Sequence, residues 1–600
     1  MPVAATLSPT VPLRFLDANV RVERRRDATM VLRTEAPFES SDALVHDYLK
    51  HWAHVRPQTA FLAERNASGD GWRTVSYAEA YEKVEILAAS FARRELGPDR
   101  PILILSGNGI DHQFVALAAM TAGIPYTPLS VAYSTMSGDL GKLRAIIKIL
   151  DPGLVFAAQG EPFSRALAID EIRGREVVIG DDYHIRGAIS LAALLEPRVE
   201  CRRRRAIELP VETVAKILFT SGSTGTPKGV PTTHRMMCTS LSQVGAMWPF
   251  MLHHTPIILD WLPWSHVFGG SYSVNTVLRY GGTLYIDDGR PIPGEIDRTV
   301  RNLREIRPSL YWNVPKGYEL LLPRLRLDEI ARRNFYGDLT LMFYAGASLP
   351  AALWKELVEL GRETAGRDIP MTTSWGLTET APSITMVNRS ALAPGNIGIP
   401  MPGLELKLVP HEGKLEARVR GPNVMRGYWK MKESQNAFDE EGFFCTGDAV
   451  AFVDPEDPAQ GLIFDGRTTE DFKLSTGTWV NAAAIRLRAQ SALSGLIADV
   501  VVTGADRNDI GLLILPAAGH SADDSAYKER LRACLGSIND GATGTSQRIV
   551  RAIVLRQPPT FDSGEITEKG SLNSRLIRER RSDIIETLYL DAHPEIIKVS

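Results

Sequence analysis

The fold is decided by the stretch "KILFTSGSTGTPKGVPTTH", Lys216 to His234. Ile217, Leu218 and Phe219 read as the tip of a buried strand. Behind them come Gly222, Gly225 and Gly229, where the backbone can take positive φ and approach a ligand closely. Successive N–H groups in such a turn form a nest for anions. The hydroxyls of Thr220, Ser221, Ser223, Thr224 and Thr226 add donors, and Lys228 adds a point charge beside Pro227. Polyphosphate is the anion that matches so many donors. A flexible Ser/Gly linker has a similar composition, but it does not follow a buried strand with one lysine in place. A Walker A loop needs Ser or Thr directly after its lysine. Here Gly229 follows Lys228, so a magnesium ion must be held by another segment.

Working outward, "PILILSGNG" from Pro101, "HQFVALAAMTAG" from His112 and "IPYTPLS" from Ile124 give a strand–helix–strand rhythm. "PIILDWLP", "GGTLYIDD", "PSLYWNVP", "LTLMFYAGA" and "DIPMTTSWG" repeat the strand signal as far as Gly376. Such alternation predicts an α/β fold with helix-covered parallel sheets, whose ligands collect beyond the strands' carboxyl ends. Past about Gly395 the chain becomes β-rich and barrel-like, with a hairpin around His411–Lys414. From Ala482 onward, helical and strand segments alternate again. The expected organisation is an N-terminal extension over 1–40, a large domain over 41–466 and a small α/β domain over 467–600.

Composition narrows the function classes. A net charge of −3 over 600 residues gives no field that would favour nucleic acid. The short run Arg202–Arg205 reads as a solvated loop. Cys201, Cys238, Cys445 and Cys534 stand singly, without metal-ligand or disulfide-framework spacing. The N-terminus has no apolar core of signal-peptide length, and "FVALAAMTAGIPY" from Phe114 is too short to span a bilayer. These features predict a soluble, cytoplasmic protein without stable membrane insertion. They leave a homodimer open.

"TSGSTGTPKG" resembles the phosphate loop of the acyl-adenylate-forming enzymes: acyl-CoA synthetases, peptide-synthetase adenylation domains and luciferase. Further motifs follow in the family's order. "YAGASLP" (Tyr344–Pro350) resembles the adenine-binding segment, with Gly346 and Ala347. "SWGLTET" (Ser374–Thr380) resembles the segment in which Ser374, Trp375 and Gly376 flank the nucleotide, Thr378 contacts phosphate and Glu379 holds magnesium. "CTGDAV" carries the ribose aspartate, Asp448, and "DGRTTEDFKLSTGTWV" the ribose-contacting arginine, Arg467. Each role is chemically reasonable. A carboxylate accepts two hydrogen bonds from vicinal hydroxyls, and a lone carboxylate suits a hard cation that keeps its waters and its phosphates. The resemblance implies a mobile C-terminal domain and two half-reactions. A carboxylic acid and MgATP give acyl-AMP and pyrophosphate, and coenzyme A then displaces AMP.

The match weakens in the small domain. The family's adenylation lysine corresponds best to Lys569 in "GEITEKGSLNSR", although strict alignment would put Ser571 there. The residue two after the hinge arginine is Thr469. Lys473 and Gly477 are candidate contacts for the nucleotide interface and the pantetheine path. An acyl pocket is expected from Trp264, His266, Phe268, Tyr272, Trp312 and Tyr344, with His266 orienting or gating the carboxylate. "DWLPWSHVFGG", "GGTLYIDDGRP" and "GEITEKG" together look most like the long form of feruloyl-CoA synthetase, which implies a hydroxycinnamic acid as substrate. A fatty-acyl-CoA synthetase and an acyl-AMP ligase serving a carrier protein remain as alternatives.

Overall fold

The computed structural model describes residues 13–196, 208–220, 227–389, 394–431, 436–468, 470–542, 544–566, 572–590 and 592–599. Among these residues the strands form four sheets. One has seven strands, with Ile102–Ile104 at its centre between Tyr126–Pro128 and Leu154–Ala157, all parallel. Val214–Thr220 joins beside Tyr126–Pro128, also in parallel, and Lys228–Thr233 closes that edge in antiparallel. The central strands are apolar and buried on both faces, as parallel sheets require. The buried helix Ile110–Thr121 supplies the crossover between Ile102–Ile104 and Tyr126–Pro128.

A second, longer sheet begins in the same style. Thr283–Ile286, Ile257–Asp260, Leu310–Asn313, Leu341–Tyr344 and Met371–Gly376 are parallel neighbours. After Met371–Gly376 the connections become antiparallel, and the sheet curls on through the Glu405–His411 and Lys414–Arg420 hairpin, Phe444–Phe452 and Leu462–Arg467. This is the barrel-like part. The extension expected over residues 1–40 supplies two strands to this sheet. Val20–Arg24 and Met30–Thr34 pair with each other, and Met30–Leu32 pairs with Leu406–Leu408. Met30, Val31 and Leu32 are buried in the large domain because their neighbour strand presents Leu406 and Leu408.

The small domain has its own core. Ile497–Thr503, Ile510–Pro516, Ile549–Val554 and Ile597–Lys598 form one sheet. Ala482–Ala492 and Ser525–Asn539 bury Ile485, Ala489, Leu531 and Leu535 in the core cluster that this sheet shares. Asn481 caps the first of these helices through Ala484 N–H and reaches back to Asp465 at 2.7 Å. The small domain also touches the large one through Phe561, whose ring lies 5.6 Å from that of Tyr133, and through Asp562, which accepts from Gly138 N–H at 3.1 Å. Among the described residues no helix is long and apolar enough to cross a membrane.

Candidate active site

Thr220 and Lys228 stand opposite each other at the end of an antiparallel ladder. Thr220 and Lys228 are half-buried. Ser221, Gly222, Ser223, Thr224 and Gly225 lie outside the described residues. Lys228 Nζ sits 4.9 Å from the centroid of the Tyr428 ring.

The strand Met371–Gly376 ends in a turn through Thr378–Thr380. Gly376 is packed so tightly that a Cβ would meet Pro382 O at 1.9 Å, which fixes glycine at this corner. The turn leaves Thr378 half-buried and Glu379 buried. Glu379 Oε1 accepts from the Tyr428 hydroxyl at 3.0 Å. Burial pushes the Glu379 carboxyl above its ordinary value, against the pull of Tyr428 and of the Arg467 and Lys228 charges. Ser374, half-buried, shares a hydrogen bond with Ser383 at 3.3 Å. Gly346, at φ +86°, and Ala347 lie exposed in the turn after Leu341–Tyr344.

Asp448 and Arg467 are cross-strand partners in the barrel-like part. Asp448 is 3% exposed, and its Oδ2 accepts from Trp375 Nε1–H at 3.0 Å. Its Oδ1 has no hydrogen-bond partner, with Arg467 Nε 3.4 Å away. Burial raises the Asp448 carboxyl to about 6, while Arg467 and then Trp375 oppose the rise. A buried carboxylate oxygen without a donor is costly unless something fills the position, and a ribose hydroxyl fits it. Glu379 also repels Asp448, which puts both acids in one electrostatic neighbourhood with Lys228 and Arg467. Among the described residues no group of three metal-ligating side chains occurs. Lys473 is exposed in the small domain, its ammonium 4.8 Å from the Trp479 ring centroid. Gly477 lies in open space. Lys569, Ser571 and Thr469 fall outside the described residues.

The residues read as acyl pocket divide between two layers. Trp264, Phe268, Tyr272 and Trp312 belong to one buried cluster. Phe343, which the sequence reading missed, is at its centre, with ring centroids 5.2 Å from Trp312, 5.3 Å from Tyr272 and 5.6 Å from Phe268. Tyr344 is corrected: it packs in the opposite layer with Tyr311, Met342 and Leu357. Side chains alternate along a strand, so Phe343 and Tyr344 face opposite ways. The Tyr272 hydroxyl and the Trp312 Nε1–H are both buried without a hydrogen-bond partner. His266 is half-buried, and its Nδ1 accepts from Phe268 N–H at 3.3 Å. It precedes a wide π-turn, Phe268–Ser273, whose Gly270 carbonyl accepts from the buried Lys216 Nζ at 2.5 Å. A hollow of about 590 Å³ near Arg94, Arg100 and Arg175 shares no residue with this region.

A family model, AMP-binding enzyme, matches residues 49–429, and its C-terminal domain model matches 470–593. The chain belongs to the AMP-binding enzyme family. It is 22% identical over 570 residues to carboxylic acid reductase of Mycobacterium marinum, covering 87% of this chain and 47% of the relative. It is 28% identical over 438 residues to 2-succinylbenzoate–CoA ligase of Geobacillus kaustophilus, covering 71% and 80%. The chain thus spans about half the length of the reductase. Among solved structures, anthranilate CoA ligase AuaEII with anthranoyl-AMP superposes with a TM-score of 0.72 at 17% identity, covering 91% and 98%. At that identity the likeness speaks for the fold alone.

Proposed function

We propose that the chain is an ATP-dependent, AMP-forming acid–thiol ligase whose acid is a ring-hydroxylated aromatic carboxylate of the hydroxycinnamate kind. Membership of the AMP-binding family supports the first part, with Asp448, Arg467, Glu379 and Lys228 around one site. One observation carries the second. The Tyr272 hydroxyl and the Trp312 N–H are buried and unpartnered within an aromatic cluster. A fatty chain would leave both unsatisfied, whereas a hydroxyl or methoxy group on an inserted ring gives each an oxygen. Entry of the ring requires Tyr272 or Phe268 to turn aside.

In the first half-reaction a carboxylate oxygen attacks the α-phosphorus of ATP. The bond to the bridging oxygen breaks, and pyrophosphate leaves with the electron pair. Two anions meet in this step, so positioning and charge neutralisation dominate. Lys228 and the phosphate loop hold the leaving phosphates, and Asp448 and Arg467 hold the ribose. Glu379 would hold a magnesium ion, which would supply positive charge against the phosphates. Lys569 supplies the remaining positive charge from the small domain. In the second half-reaction the sulfur of coenzyme A attacks the acyl carbon. AMP leaves, and the thiol proton is released. Gly477 lines the thiol's approach, and Lys473 contacts the nucleotide near the interface.

The test is thioester formation from ferulate, unsubstituted cinnamate and octanoate. Ferulate should be fastest. A site built to bond a ring oxygen should disfavour cinnamate by about tenfold or more. Octanoate as the best acid would contradict the assignment.

A further inference from the structure

The loop 421–430 touches both sides of the phosphate site. Its Met425 N–H donates to Glu379 O at 2.9 Å, and its Trp429 N–H donates to Gly229 O at 2.8 Å. One bond ties the turn that carries the acid, and the other ties the strand that carries Lys228. Asn423 adds a third tie, donating to Thr380 O at 2.6 Å. Between these anchors Tyr428 reaches both side chains. Its hydroxyl donates to Glu379 Oε1 at 3.0 Å, and its ring faces Lys228 Nζ at 4.9 Å.

We propose that Tyr428 is a positioning residue that holds Glu379 and Lys228 at a fixed separation, so that the site meets a polyphosphate and its divalent cation already assembled. The proposal rests on the reading of Glu379 as the cation's carboxylate. The two contacts are chemically distinct. The hydroxyl fixes the orientation of the carboxylate, while the ring's negative face holds the ammonium without neutralising it. A phenol suits this better than a carboxylate would: it orients Glu379 without adding charge that competes for Lys228. It also lets the cation draw its other ligands from phosphate and water.

The test is calorimetric binding of ATP without metal, of ATP with magnesium, and of AMP, to wild type, Tyr428→Phe and Tyr428→Leu. In wild type, magnesium should tighten ATP. Tyr428→Phe keeps the ring and loses the hydroxyl. It should cut the magnesium-dependent gain by about tenfold, the scale of one hydrogen bond to a charged group, and leave metal-free ATP unchanged. Tyr428→Leu should weaken metal-free ATP as well, by roughly threefold, because Lys228 loses its cation–π contact. AMP lacks the outer phosphates and should bind all three proteins alike. An undiminished magnesium gain in Tyr428→Phe overturns the proposal, and so does an equal loss of AMP affinity, which marks general damage to the fold. Wild type that gains nothing from magnesium overturns the reading of Glu379 itself.

Discussion

Replacing Trp375 by Phe removes the hydrogen bond that its side chain donates to Asp448, together with the indole's second ring. The indole is 8% exposed and its Nε1–H is 3.0 Å from Asp448 Oδ2. Asp448 already titrates near 6 because burial opposes its charge, and Arg467 and Trp375 hold it down from there. A hydrogen bond to a charged acceptor contributes about 1.5–3 kcal/mol, and 1.36 kcal/mol corresponds to one pKa unit. Loss of the donor should therefore raise Asp448 by about one to two units. At pH 7 the wild-type carboxylate is mostly ionised and accepts from ribose. In Trp375→Phe it is mostly protonated. The assay is the KM for ATP in acid-dependent ATP–pyrophosphate exchange between pH 5.5 and 9. The wild-type acid limb should lie near 6 and the variant's between about 7 and 8. The variant should be roughly two- to tenfold weaker at pH 7 and recover much of the loss by pH 9. A uniform loss with an unmoved limb would refute the argument and leave Trp375 as packing alone.

Three further outcomes follow from the same structure. Lys216 is fully buried and burial lowers it from 10.5 to about 7, so between those values the unfolded chain holds a proton that the folded chain has released. Wild-type stability should accordingly rise relative to Lys216→Met from pH 7 to 10, by up to the order of 4 kcal/mol in denaturant titrations; parallel pH profiles contradict this. Phe343→Leu should change the ratio of ferulate to octanoate activity while Tyr344→Phe leaves it alone, because the two side chains occupy opposite layers; equal effects contradict the division. Lys569→Ala should slow acyl-AMP formation by about a hundredfold or more, as loss of a transition-state charge contact does, yet spare thioester formation from supplied acyl-AMP. If both steps proceed at wild-type rates, the adenylation lysine lies elsewhere.

The nucleotide side of the site was legible because its residues are written locally. Glycine corners, a Thr-Glu turn and the Thr-Gly-Asp run ending at Asp448 each occupy a few consecutive positions. Strands were legible from apolar runs, but the face each side chain takes was not. Leu341–Tyr344 is buried on both sides, so periodicity could not separate Phe343 from Tyr344. The pairing of Met30–Leu32 with the barrel-like part was not legible, because the partner strand is more than 370 residues away. Tyr428 was missed for the same reason: its meaning depends on Glu379 and Lys228, which only the tertiary fold brings to it. Lys216 stands alone at the head of the apolar run Ile217–Phe219, and that isolation is the sign in the sequence that it is buried.

The most direct test is pyrophosphate release from ATP in the presence of ferulate, with and without coenzyme A. Release that requires the acid, and becomes catalytic with stoichiometric feruloyl thioester when the thiol is added, is the expected result. Pyrophosphate formed at the same rate without the acid, or none with any ring-hydroxylated aromatic acid, would contradict the claim that this site adenylates such acids.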